Sequence, residues 1–365
     1  MEVFPSVSII IPCRNEARFI GNCLDSILRN GFPLERLEIL VVDGMSDDGT
    51  REVIHNYASR YNLIRLVDNP HRVTPYAVNI GIREAKGDAI MRLDAHTICG
   101  RDYIGRCIHI LYNYDADDVG GTLRIIARDN TIIGWGIVKA LTQRFGVGNL
   151  RYRFSQPEEP ELVDTVAFFC CRRELFQKIG VFNEGLTRIQ DMEFKRRLTR
   201  AGCRIMLVPG AFADYQARSD LKSFWRHNWS DGSWTVLAFA YAEVMPVRWR
   251  HLVPACFVAA LAVTSLLALA SSLFGWAFLA IAGVYSLTAL ALSIRIAVVE
   301  ADLRYVFVVP FIIVSMHLMR GLGSLWGAVR LLLERRLVHA IRLLLEETRP
   351  IEKRRLVNLD SGLDD

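Results

Sequence analysis

From Leu252 to Ile294 the chain carries no Asp, Glu, Lys or Arg. A core folded in water does not need so long an uncharged run, whereas each helix that crosses a bilayer needs roughly 20 apolar residues. The run therefore divides the 365-residue chain into two parts with different surroundings. Up to residue 230, charged and apolar positions are mixed as in a globular domain, and the boundary falls near residue 235. The overall share of hydrophobic residues, 52%, is thus concentrated toward the C-terminus.

The uncharged run is long enough for a hairpin of two helices, 252–274 and 276–294, turning at Gly275-Trp276. Arg248 and Arg250 precede it and Arg295 follows it, which places both open ends on the cytosolic side by the positive-inside tendency. A third apolar stretch, 305–329, is interrupted by Pro310, His317, Arg320 and a Gly321-Leu322-Gly323 kink. It is expected either to span or to lie tilted or re-entrant. His317 and Arg320 are functional candidates there, because ionisable groups at membrane depth are costly to keep. The basic tail, 334–365, would prefer the cytosol and argues against three simple spans.

The formal charge of +5 is modest for this length, and the basic residues form no block that would follow a nucleic-acid backbone. Nucleic acid is therefore not an expected partner, and an anionic membrane surface is. The eight cysteines form no CxxC pair, which suits reduced cytosolic thiols better than a zinc site or a disulfide framework. No basic segment followed by an apolar stretch precedes the first expected strand, so the N-terminal part is expected to stay in the cytosol.

In that part, short runs rich in Val and Ile alternate with helix-length amphipathic segments. The runs are Val7–Ile11, Leu37–Val42, Leu63–Val67 and Ala89–Leu93, with helices expected over Ala17–Arg29, Asp48–Arg60 and Pro75–Ala85. Unbroken apolar strands separated by helices indicate a mostly parallel sheet covered on both faces, a doubly wound α/β domain. Ligands bind such sheets beyond the carboxyl ends of the strands. Here those ends carry Pro12-Cys13-Arg14-Asn15-Glu16, Asp43, Asp68-Asn69 and Asp94-Ala95-His96.

Neither a GxGxxG nor a GxxxxGK[ST] loop is present to meet phosphates. A divalent metal would serve instead. Asp94 and His96, two apart in an extended segment, point to one side, and Mn²⁺ accepts both oxygen and imidazole ligands. Farther on, Asp191 opens an amphipathic helix, where the helix dipole favours an ionised carboxylate. Asp164–Phe169, before Arg172, reads as a strand that brings Asp164 to the same crevice. Residues 220–233 are rich in Trp, Arg and His. Arg226 and His227 there are candidates to meet a leaving diphosphate, while Trp225, Trp229 and Trp234 suit an interfacial helix. The two roles are compatible.

The segments VSIIIPCRNE, ILVVDGMSDDGT, AVNIGIREAKGDAIMRLDAH and TRIQDMEFKRRL, in this order, resemble the family 2 glycosyltransferases of the GT-A fold. Within that family the likeness is to succinoglycan-type β-glucosyltransferases of exopolysaccharide assembly. The resemblance implies a Rossmann-like GT-A catalytic domain over 1–218, followed by an interfacial segment, 219–250, and membrane helices within 251–333. It implies that Pro12, Asn15, Glu16 and Asp43 cradle uridine and ribose, and that Asp94 and His96 stand for the metal-binding DxD, holding Mn²⁺ or Mg²⁺. By the same likeness Asp191 is the general base of an inverting transfer, with Glu193 as the fallback. The expected donor is a UDP-hexose, with glucose favoured, and the expected acceptor a saccharide on polyprenyl diphosphate, at a bacterial inner membrane. Two departures stand out: Asp43-Gly44-Met45-Ser46 replaces the common Asp-Asp-Gly-Ser, and His occupies the third DxD position. A processive synthase is the alternative enzyme, although the Gln-x-x-Arg-Trp motif is missing. A non-catalytic nucleotide-sugar-binding membrane protein is the alternative outside enzymes.

Overall fold

The computed structural model describes residues 5–148 and 150–334, so all of the expected tail beyond Glu334 lies outside the described residues. The first four strands form where the sequence places them: β1 (Val7–Cys13), β2 (Leu37–Asp43), β3 (Ile64–Asp68) and β4 (Ala89–Arg92). β1 pairs in parallel with both β2 and β4, and β2 with β3. Successive side chains leave a strand on opposite faces. Ile9, Ile11, Ile39 and Val41 accordingly pack with α1 (Ile20–Leu28) and α2 (Thr50–Ala58), and Ile10, Leu40, Val42 and Ile90 with α3 (Thr74–Glu84). Asp48 accepts from the Thr50 amide at 3.1 Å at the start of α2, and α3 has Pro75 in its first turn, both as their residue types favour.

Beyond β4 the sheet is mixed. After β5 (Thr97–Cys99), α4 (Tyr103–Asn113) leads into β6 (Asp118–Ala127). The helices α5 (Ile132–Leu141), α6 (Arg144–Val147) and α7 (Arg151–Phe154) precede β7 (Glu161–Leu162) and β8 (Cys170–Arg172). Then come α8 (Leu175–Ile179), α9 (Gln190–Arg200) and the long strand β9 (Ile205–Ala217). The order across the sheet is β3-β2-β1-β4-β8-β6-β9-β5, with β7 on β9. β8 runs antiparallel to β4 and β6, whereas β6 and β9 are parallel. The strand expected over Asp164–Phe169 forms only from Cys170. Phe169 is drawn instead into an aromatic cluster with Phe176, Phe182 and Phe194, at centroid distances of 5.7, 5.6 and 6.2 Å.

The C-terminal part consists of α10 (Leu221–Tyr241), α11 (Val253–Leu267), α12 (Ser272–Val299) and α13 (Tyr305–Leu333). Three helical segments, Trp249–Leu267, Ser272–Val299 and Tyr305–Leu333, are long and apolar enough to cross a membrane. Their outer faces expose Leu266, Leu279, Val284, Leu287, Val298 and Phe307, a surface that water does not favour. The hairpin turns at residues 268–271 rather than at Gly275-Trp276, which lies inside α12. Ser271 stands at the N-cap with an extended backbone, and a glycine is tolerated in a helix interior.

α13 is one continuous helix that carries Pro310, Arg320 and Gly321-Leu322-Gly323 in its interior. Those glycines serve close approach. A Cβ on Gly323 would stand 2.2 Å from the Trp229 carbonyl oxygen of α10, and one on Gly321 would stand 2.4 Å from the Pro254 oxygen of α11. Ser233 Oγ donates to the Gly323 carbonyl at 2.9 Å, and Ser324 Oγ to that of Gly232 at 3.0 Å. Both ends of α13 are also tied down, one to the sheet domain and the other to α10. Lys139 of α5 pairs with Glu300 at 2.6 Å just before it, and Tyr241 donates to Glu334 at 2.7 Å just after it.

Candidate active site

The chain leaves β1 for one side of the sheet and reaches β4 on the other, so a crevice opens beyond their carboxyl ends. A cavity of about 1160 Å³ lies there. Of the residues expected in it, Pro12, Glu16, Asp94, His96, Asp164, Asp191 and His227 line its wall.

Its centre is a residue that the sequence reading passed over. Arg92 ends β4 with its side chain only 8% exposed, donating from Nη2 to Asp94 at 2.9 Å and from Nη1 to Asp191. One guanidinium thereby joins the strand-end carboxylate to the carboxylate at the start of α9. Its planar fork suits two carboxylates at once. Burial alone would raise the Asp94 pKa, but Arg92 foremost, and His96 after it, hold that carboxyl below its ordinary value. The signal was present in the sequence: Arg92 is the one charged residue in the otherwise apolar run Ala89–Leu93.

Asp191 lies in the first turn of α9 with its side chain 42% exposed. The residue before the helix, Ile189, has φ of 56°. A β-branched side chain is a true outlier in that left-handed region, and such strain gathers at functional sites. Glu193, the fallback base, is not available to the cavity. It is fully buried and paired with Arg197 Nε at 2.9 Å, because an inward carboxylate on α9 must find a partner.

Three further residues expected at the site do not line the cavity. Asp43 is fully buried behind the wall, accepting from the Ser46 amide at 2.9 Å and from Arg51 at 2.8 Å. The carboxylate is consumed in bracing the loop after β2, and Gly44 lines the cavity in its stead. Asn15, with φ of 56°, donates to Asp47 at 2.9 Å and receives the Asp47 amide at 3.1 Å, so it clamps two loops together. Arg226 is exposed on the outer side of α10 and does not line the cavity.

His227 does face the cavity, 3.2 Å from Asp231, but not as a cation. Desolvation, with Arg218, Arg188 and Arg320 against Asp231, brings its pKa down to about 3. Asp164 lines the wall and is held by Arg248 at 2.7 Å.

The residues present fit a divalent metal. His96 Nδ1 is 3.1 Å from Glu16 Oε1, which leaves Nε2 buried and without a partner. A carboxylate on one ring nitrogen and a free second nitrogen is the arrangement that metal-binding histidines use. Asp94 supplies an oxygen. Among the described residues no cluster of three His, Cys, Asp or Glu side chains could hold a metal ion by itself. An ion at Asp94 and His96 would thus keep positions for phosphate oxygens and water, as Mg²⁺ does.

This mixed sheet with paired acidic groups at its switch point defines a GT-A-type glycosyltransferase. Residues 8–180 match the family described as Glycosyl transferase family 2, which supports reading this chain as a family 2 glycosyltransferase. It is 27% identical over 62% of its length to a dolichyl N-acetyl-alpha-D-glucosaminyl phosphate 3-beta-D-2,3-diacetamido-2,3-dideoxy-beta-D-glucuronosyltransferase of Methanococcus voltae, covering 72% of that protein. It is 28% identical over 60% of its length to the succinoglycan biosynthesis protein ExoA of Rhizobium meliloti, covering 66% of it. A solved mannosyltransferase, PcManGT from Pyrobaculum calidifontis, shares the fold with a TM-score of 0.57 at 20% identity, over 89% of this chain and 88% of that one.

Proposed function

We propose that this glycosyltransferase moves a hexosyl group, with inversion, from a nucleoside diphosphate sugar to a saccharide carried on polyprenyl diphosphate. UDP-glucose is the donor favoured by the resemblance of its motifs. The observation that carries the reading is the Arg92 bridge, which sets Asp94 and Asp191 in one cavity whose far wall is made by α11, α12 and α13. Asp191 takes the proton from an acceptor hydroxyl while that oxygen bonds to the anomeric carbon and the nucleoside diphosphate leaves. Mn²⁺ or Mg²⁺ at Asp94 and His96 would offset charge on the departing diphosphate. Pro12 and Glu16 line the nucleotide end. The apolar helices support a location in a bacterial inner membrane with the catalytic domain on the cytosolic side.

The test is nucleotide release by full-length protein in membranes, from a panel of UDP- and GDP-sugars, with Mn²⁺ or chelator and with or without lipid-linked acceptor extract. Metal-dependent, acceptor-stimulated UDP release from UDP-glucose is expected. Release from a GDP-sugar alone would overturn the donor, and no release from any donor would favour a binding protein.

A further inference from the structure

At the helical end of the cavity the charges do not balance. Arg188 and Arg320 both turn to one carboxylate, Asp231, at 3.9 and 4.0 Å, which neutral His227 also meets at 3.2 Å. Arg153 of α7 also lines this end, and its like charge bears on Arg320. No described residue forms an ion pair with Arg153. The Nε atoms of Arg153 and Arg320 are both buried without a hydrogen-bond partner. Two neighbouring guanidinium groups with unmet buried donors are costly unless an anion joins them. Forked donors of this kind match phosphate.

The wall beside them has a different chemistry. Phe257 of α11 and Tyr285 of α12 stack at 4.4 Å between ring centroids, and Phe145 lies 5.5 Å from Tyr285. Tyr285 and His317 are fixed by a 2.7 Å hydrogen bond, and His317 Nε2 is 3.3 Å from the Gly146 carbonyl oxygen. These rings line the same cavity as Asp94 and Asp191 and stand on the helices with the apolar outer faces. An anion site next to an aromatic wall on such helices suits a molecule with a phosphate head and a hydrocarbon chain.

We propose that Arg153 and Arg320 bind the diphosphate of the lipid-linked acceptor, with its first isoprenoid units against Phe257 and Tyr285. The inference rests on the reading of this chain as a transferase with a lipid-linked acceptor, and it assigns the residues that hold that acceptor's head. The donor's diphosphate is assigned instead to Asp94 and His96, just after β4.

The test measures binding of geranylgeranyl diphosphate to full-length protein in nanodiscs of neutral lipid, beside geranylgeraniol, inorganic diphosphate and UDP. Arg153→Gln is the main variant because Arg153 holds no described partner whose loss would unfold the chain. Arg320→Gln and Phe257→Ala accompany it. Geranylgeranyl diphosphate is expected to bind about tenfold more tightly than either half-probe, and Arg153→Gln to weaken it by about tenfold while UDP affinity stays within about twofold. Equal weakening of UDP would assign the pair to the donor and overturn the proposal. So would unchanged binding of geranylgeranyl diphosphate, or its complete displacement by phosphatidylglycerol in the nanodisc, which would identify a headgroup site. Binding needs no turnover, so a protein that binds the probe through Arg153 but releases no nucleotide from any sugar would sink the transferase reading alone.

Discussion

Arg92 holds two carboxylates that would otherwise face each other across the cavity, and its replacement should be felt at both. Arg92→Lys offers a point charge where a fork is needed. It is expected to lower transfer by about tenfold or more, while Arg92→Gln also lowers the thermal midpoint, because Asp94 is then left partly buried and uncompensated. Transfer assays and thermal unfolding in detergent would show this; an Arg92→Gln protein with parental activity would remove the bridge from the site. Asp191→Asn should lower the transfer rate by about 10²–10⁴-fold with donor affinity unchanged, the range for losing a general base. His227 provides a check by pH. Its folded pKa of about 3 lies below the ordinary 6.5, so as pH falls below the ordinary value the unfolded chain takes up a proton that the folded one refuses. Stability is lost across that window, and His227→Gln should lose less of it between pH 7 and pH 4 in denaturant melts. A variant as acid-sensitive as the parent would contradict the shift. Asp94, His96 and Asp191 were legible in the sequence because a strand end and a helix start fix where short side chains point. Asp43 and Asn15 stand off the cavity wall because their directions depend on Arg51, Ser46 and Asp47, partners that no spacing rule supplies.

At the scale of elements, the contact between α10 and α13 rests on atoms too close for any side chain. Gly323→Ala would place a methyl 2.2 Å from the Trp229 carbonyl oxygen and force the helices apart. A loss of about 1–3 kcal/mol is expected, the usual cost of overpacking, read as a lower midpoint in detergent. A Gly323→Ala protein as stable as the parent would mean that the two helices separate freely. The apolar run showed in advance that helices of this kind exist, since an uncharged stretch reports its surroundings directly. It did not show where they end. The break falls before Ser272 and leaves Gly275 inside α12, because glycine in a helix interior is tolerated. Nor could it distinguish a kink at Gly321-Leu322-Gly323 from a close approach, because glycine permits both and only the neighbouring backbone decides. Within the mixed half of the sheet, β5, β7 and β8 were hidden for a related reason: they are two or three residues long, too short for any period to register.

For the whole molecule, α13 has the composition of a span but the attachments of a strut. It lies along α10 through Gly323 and Ser324, with one end held by Lys139–Glu300 and the other by Tyr241–Glu334. At 1.5 Å per residue its 29 residues extend about 43 Å, and both limits touch the part of the chain that carries the cavity. The expected topology is therefore a single hairpin of α11 and α12 dipping from a domain that stays on one side. In a Cys256→Ser background, Ala270→Cys should react with an impermeant thiol reagent applied to intact cells, and Glu334→Cys should react only after lysis. Labelling of Glu334→Cys from outside would make α13 a true span. The shared wall of the cavity has a kinetic consequence as well. If the acceptor reaches Arg153 and Arg320 only from within the lipid, then its two-dimensional density, not its amount per litre, is the quantity that enters the rate. Vesicles enlarged with inert lipid would slow the reaction even though nothing has been removed from the tube.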